Sequence, residues 1–174
     1  MAFVQSHCHN PLTDALFPII TYLGEAGLIW MILALLCIVF GKKSGWRVTG
    51  TAMLCAMLLG LLIGEVAIKN LVCRPRPFQS FPDFSLLIPP PSGYSFPSGH
   101  SCSSFAAATV LFHKDKRWGS AALALAALIL FSRVFLFVHY PTDVLAGALL
   151  GVLCGFAGLW LCRRLTALYQ ARRP

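Results

Sequence analysis

The sequence is poor in charge, and above all in acid. Only 6 of its 174 residues are Asp or Glu, and charged residues of both signs make up 11%. A soluble domain carries about 25%. That shortage excludes an ordinary soluble globule. With 57% hydrophobic residues and a mean hydropathy of +0.74, it also excludes a disordered chain. The signature of a disulfide-stapled module is missing as well. The seven cysteines (Cys8, Cys37, Cys55, Cys73, Cys102, Cys154 and Cys162) are odd in number and form no CxxC. Most lie in apolar runs, where cysteine acts as a small hydrophobe. Cys8 and Cys73 fall on one side, which leaves their pairing open. Residues 1–10 hold no Lys or Arg before the first apolar run, and no small-residue cleavage site follows soon after. This start is therefore expected to be uncleaved. What is left is a polytopic membrane protein, a single membrane-embedded domain over residues 1–174.

A bilayer core of about 30 Å takes about 20 apolar helical residues. Five stretches qualify or nearly so: 26–40, 48–68 (interrupted by Glu65), 98–113, 119–138 (interrupted by Arg133) and 144–162, which has no charge. The segment 11–23 is apolar with Pro18 inside; it either lies in the interface or starts the first span. The expected fold class is all-α: an integral membrane bundle of about five transmembrane helices plus an N-terminal interfacial segment, with a six-helix arrangement as the variant. Residues 70–97 carry Pro75, Pro77, Pro82, Pro89, Pro90, Pro91 and Pro97, a density expected to exclude helix. The third span has about 16 residues, or about 24 Å of helix. Its N-terminus is therefore expected to be recessed to headgroup depth.

The positive residues that are present are unevenly placed. Lys42, Lys43 and Arg47 follow the first span, Lys114, Lys116 and Arg117 follow the third, and Arg163, Arg164, Arg172 and Arg173 follow the fifth. Alternating helices put all ten on one side, and the positive-inside rule makes that side cytoplasmic. The expected location is the inner, or plasma, membrane, with the C-terminus in the cytoplasm. Only Lys69, Arg74, Arg76 and Arg133 fall on the outer side. Snorkelling explains one such cation; four on one face point to an anion site. Short membrane-flanking clusters of this kind do not indicate nucleic-acid binding.

The same face gathers polar chemistry. Pro97-Ser98-Gly99-His100 stands where the Pro-rich loop meets the third span. Ser98 suits an N-cap, and free N–H groups of the first turn favour an anion. His100 can exchange a proton near neutral pH. His139 lies four residues before Asp143, with Pro141 suited to the first position of a helix between them. A carboxylate on one ring nitrogen leaves the other free as a nucleophile or base. Zinc ligation by two His and an Asp is the weaker reading, because the neighbouring cations repel a metal. Cations, N–H donors, one oriented histidine and a second histidine apart from it are what phosphoryl transfer needs.

Three segments resemble the signature of the type-2 phosphatidic acid phosphatase superfamily, membrane lipid phosphatases related in fold to vanadium haloperoxidases and bacterial acid phosphatases. Lys69 is followed after six residues by Arg76-Pro77. Pro97-Ser98-Gly99-His100 is the second segment. Ser132-Arg133, His139 and Asp143 form the third. The chain looks one span shorter than six-helix members. The resemblance implies His139 as nucleophile forming a phosphohistidine, Asp143 as its orienting acid and His100 as general acid. It implies Lys69, Arg76, Ser98, Gly99 and Arg133 as phosphate-binding residues, with no metal or other cofactor. By analogy the lipid substrate is first undecaprenyl diphosphate, then phosphatidylglycerophosphate or phosphatidic acid. A lipid phosphotransferase using the same site and a non-enzymatic anion-binding or transport protein are the alternatives.

Three further expectations concern neighbours of the site. Arg74 falls outside the motif and reads as a rim residue able to touch a headgroup. Glu65, four residues before Lys69, either steadies it or simply faces the bundle. Phe78, Phe81, Phe84, Tyr94 and Phe96 read as an interfacial aromatic belt, with the lining of a lipid entrance as the alternative. The bilayer and a lipid phosphate are the expected partners; the sequence implies no oligomeric state.

Overall fold

The computed structural model describes residues 2–41, 45–81 and 84–171. Lys42, Lys43, Pro82, Arg172 and Arg173, used in the charge and loop arguments above, lie outside the described residues. Short α1 (Ala2–His7) precedes α2 (Pro11–Leu23). Asn10 caps α2, its side chain accepting from the Leu12 and Thr13 N–H groups at 3.0 Å each. A 3-10 turn (Glu25–Gly27) then leads into α3 (Leu28–Phe40). Neither helix alone is long enough to cross a bilayer; together they are long and apolar enough as a pair bent by 41°, the geometry of a broken span or a re-entrant loop. Segment 11–23 is thus a helix of its own, linked to α3 by that turn.

The second span is longer than its apolar run. It begins as α4 (Trp46–Gly60), continues through a π-helical stretch (Leu61–Ile68) and ends in one more α-turn, α5 (Lys69–Val72). The Pro-rich loop is not wholly irregular: Pro77–Ser80 forms a one-turn helix, α6. Proline is tolerated there because Pro77 occupies the first helical position, whose N–H would be unpaired anyway. Helices α7 (Gly99–Lys114) and α8 (Lys116–Phe135) meet at Asp115, whose carboxylate accepts from the Arg117 and Trp118 N–H groups. The last helix, α9 (Pro141–Ala171), outruns the apolar window 144–162 at its C-terminal end. Its basic end contains good helix formers and no breaker before Ala171. The apolar window marks where the bilayer would end, not where hydrogen bonding stops.

Three helical runs are individually long and apolar enough to cross a membrane, and the bent α2–α3 pair makes a fourth. Helix α7, at 16 residues, is shorter than these and lies in the core: Ala106, Ala107, Ala108 and Val110 are fully buried. Its close packing depends on α9. A Cβ on Gly151 would strike the Cys102 carbonyl oxygen, and one on Gly155 would lie 2.8 Å from Thr109 Cβ. Small residues four apart let two backbones approach in the way favoured inside bilayers. The opposite face of α9 exposes Leu145, Leu149, Leu153, Phe156 and Trp160, a stripe suited to acyl chains. Two buried hydrogen bonds tie the first span inward: Trp30 Nε1 donates to Ser104 Oγ (2.9 Å) and Arg133 Nη1 to Thr21 Oγ1 (2.7 Å).

Candidate active site

The turn between α8 and α9 delivers His139. Phe137 takes a left-handed φ of 59°, and the Val138 and His139 N–H groups fold back onto the Arg133 carbonyl. Phe84 stacks on Phe137 at 4.2 Å between ring centroids and Phe81 meets its edge at 5.9 Å, so two aromatics of the Pro-rich loop brace this turn. Pro141 opens α9 and places Asp143 in the first turn, fully buried.

His139 and Asp143 do not touch directly. Nδ1 and Oδ2 are 3.6 Å apart, beyond hydrogen-bond reach. Ser95 stands between them: its hydroxyl donates to Asp143 Oδ2 at 2.5 Å and lies 3.4 Å from His139 Nδ1. The Tyr140 N–H also donates to Oδ2 (2.9 Å). Arg74 takes the other oxygen, its Nη1 donating to Asp143 Oδ1 (2.7 Å) and Thr142 Oγ1 (2.8 Å) while the guanidinium rests 3.9 Å from the Tyr140 ring centroid. Arg74 thus clamps the acid while its side chain stays partly exposed. Neither Ser95 nor this role of Arg74 was legible in the sequence. Both arise because the Pro-rich loop folds back onto the start of α9, with the Ser95 N–H donating to the Arg74 carbonyl (2.8 Å).

Arg76 is almost fully buried and fixed by three carbonyls, those of Gly93, Ser92 and Val138, at 2.9–3.1 Å. Its Nη1 also lies 3.2 Å from His139 Nε2. A guanidinium can only donate, so Nε2 accepts and Nδ1 carries the proton toward Ser95 and Asp143. Burial pushes this imidazole down to about 3, with Arg133 and Arg76 adding to the effect and the Asp143 side opposing it. His139 is therefore neutral at physiological pH, its Nε2 lone pair unprotonated.

Lys69, Arg76, Gly99, His100, Arg133 and His139 all line one cavity of about 730 Å³. Ser98 and Asp143 lie behind its wall. The Ser98 hydroxyl caps α7 by accepting from the Ser101 N–H (3.4 Å), and its N–H donates to the Asp143 carbonyl (3.0 Å). Lys69 Nζ donates to both Glu65 oxygens at 2.7 Å, so the steadying role expected for Glu65 is realised. A Cβ on Gly99 would collide with that same carboxylate. Arg133 keeps a buried Nε that makes no hydrogen bond, and His100 a buried Nε2 in the same state. The same cavity is also walled by Met31, Leu54, Met57, Leu58 and Leu61, a lining suited to an apolar tail. Among the described residues no three His, Cys, Asp or Glu side chains gather where a metal could sit, and all seven cysteines, Cys8 and Cys73 included, are free.

An all-helical membrane bundle with three cations and an unprotonated imidazole around one half-apolar cavity defines a class: a membrane protein with a cationic pocket beside a free ring nitrogen. Within that class the chain belongs to the PAP2 superfamily, which its residues 49–167 match. It is 34% identical over 124 residues to an undecaprenyl-diphosphatase of Sulfolobus acidocaldarius, a match covering 71% of this chain and 58% of that protein. Among solved structures it is similar to Aquifex aeolicus LpxE (TM-score 0.76, 30% identity, 90% of each chain covered). It is also similar to a transmembrane PAP2-type phosphatidylglycerolphosphate phosphatase of Bacillus subtilis (TM-score 0.70, 30% identity, covering 90% of this chain and 79% of that one).

Proposed function

We propose that the protein is a lipid phosphatase that hydrolyses a phosphate monoester or diphosphate on a membrane lipid through a phosphohistidine at His139. The observation that carries this reading is the neutral His139 imidazole, its Nε2 on the cavity wall 3.2 Å from Arg76 and its Nδ1 backed by Ser95 and Asp143. Nε2 attacks phosphorus and the bond to the leaving oxygen breaks, with His100 giving that oxygen its proton. Water then attacks the phosphohistidine, returns a proton to His100, and the P–N bond breaks to free phosphate. Lys69, Arg76 and Arg133 spread their charge over the phosphoryl oxygens, work that needs no metal ion. Gly99 lets the phosphate approach the α7 N-terminus, and Ser98 shapes that terminus from behind.

Undecaprenyl diphosphate is the preferred substrate in this reading, with phosphatidylglycerophosphate and phosphatidic acid as others. Its support is the apolar wall of the cavity and the name of the archaeal relative. The inner-side cation clusters support an active site facing the exterior or periplasm. The test is phosphate release from a panel of these lipids by detergent-solubilised protein with EDTA present. Release is expected from at least one of them. His139→Ala should lower it by about a thousandfold or more. Strict dependence on added metal, or retained turnover in H139A, would refute the mechanism.

A further inference from the structure

The role given to His100 makes a demand that the catalytic histidine and its acid do not meet. A general acid must hold a proton, and His100 shares its cavity with Lys69, Arg76, Arg133 and His139. Three fixed cations disfavour a further positive charge there. An imidazolium at this place needs an anion of its own. Asp143 is shut behind His139 by Ser95, Tyr140 and Arg74, and Glu65 is engaged through both oxygens with Lys69. The carboxylate that is left on the cavity wall is Glu25, whose Oε2 lies 3.5 Å from His100 Nε2. The Tyr22 phenol also lines that wall.

The turn that carries Glu25 is built against His100. Ala26 and Gly27 both have left-handed φ values, 49° and 69°, unusual for an alanine. A Cβ added to Gly24 would lie 3.0 Å from His100 Cδ2 and 2.7 Å from Ile129 Cγ2. The bend that breaks the first span is thus seated on the first turn of α7 and on α8.

We propose that Glu25 is a positioning residue for the general acid: its carboxylate supplies the counter-charge that lets His100 hold a proton amid Lys69, Arg76 and Arg133. The spacing suits this use. At 3.5 Å the pair is within ion-pair range but long for a hydrogen bond, so the Nε2 proton stays available to the leaving oxygen. Nε2 makes no other hydrogen bond.

This inference rests on the general-acid reading of His100, and the experiment separates the two. The full-length protein in detergent is assayed for kcat/KM on a lipid alkyl monophosphate and on 4-nitrophenyl phosphate, whose leaving group departs without a proton. Glu25→Gln is expected to lower kcat/KM on the alkyl ester by about 10- to 100-fold and to change the aryl ester by less than about threefold. Glu25→Asp, which keeps the charge, should recover most of the loss. On the lipid alone, E25Q should move the basic limb of the pH profile to lower pH, because an acid without its counter-ion loses its proton sooner. Equal losses on both esters, an unmoved basic limb, or full activity in E25Q would each overturn the proposal. If His100→Ala discriminates between the esters and E25Q does not, the general acid stands and Glu25 is discarded. If His100→Ala does not discriminate, both fall.

Discussion

At His139 the neutral state is set by burial, not by the acid beside it. A free imidazole titrates near 6.5, whereas this one is pushed down to about 3. Between those values the unfolded chain binds a proton that the folded protein does not, so stability falls as pH falls through that window. The thermal midpoint in detergent is expected to drop between pH 7 and pH 4, and to drop less in His139→Gln, which cannot titrate. Equal slopes for the two proteins would contradict the assignment. By the same argument Nε2 stays unprotonated in mildly acidic buffer, so protonation of His139 imposes no acid limb on activity until pH nears 3. Ser95 carries a separate expectation. Without its hydroxyl, Nδ1 and Oδ2 stand 3.6 Å apart with nothing between them. Ser95→Ala should lower phosphate release by about 10- to 100-fold; an unchanged rate would remove it from the relay. Lys69, Arg76, Arg133, His100, His139 and Asp143 stood out in the sequence by residue type and by the resemblance, and the fold gathers them at one end of the bundle. Ser95, Arg74 and Glu25 did not stand out, because a serine in a Pro-rich loop or an acid at a bend gains meaning only from what it approaches.

Apolar runs located the long helices among the described residues, yet hydrogen bonding and packing decided where each one ends. Hydropathy stops at Cys162 in α9 while the helix continues to Ala171, and Glu65 interrupts hydropathy inside a helix that does not stop there. The π-helical stretch there has no sequence signal, although it brings Glu65 onto Lys69 and Gly99. Small residues on α9 were visible in the sequence as glycines, but their partner was not. Gly147 packs on Ser98 and Gly151 on Cys102, while Gly158 packs on Ala52 and Ala56 of α4. Replacing Gly151 with Val should separate α7 from α9 and cost about 1–3 kcal/mol, read as a lower unfolding temperature in detergent. Activity should fall with it, since α7 carries Gly99 and His100. A variant as stable as the parent would show that this contact yields easily.

The whole molecule is arranged by where its few charges stand. Ten of fourteen cations flank one side of the bundle in sequence, and three of the other four line the cavity. If the cationic clusters face inward, Cys73, exposed after α5, lies outside. In a variant keeping Cys73 alone, a membrane-impermeant maleimide should label intact cells, and a cysteine placed at Leu168 should react only after permeabilisation. The reverse pattern would invert the proposed orientation. The sequence by itself determined that this chain lives in a membrane and which residue types meet at one end of the bundle, because apolar length and charged chemistry are local properties. Only the tertiary structure decided that a serine and an arginine hold Asp143, that a bend in the first span brings an acid to His100, and that one cavity joins a cationic end to an apolar wall. Those facts depend on how closely α7 can approach α9 and on how the Pro-rich loop closes over the site, and such distances between remote segments are set by packing.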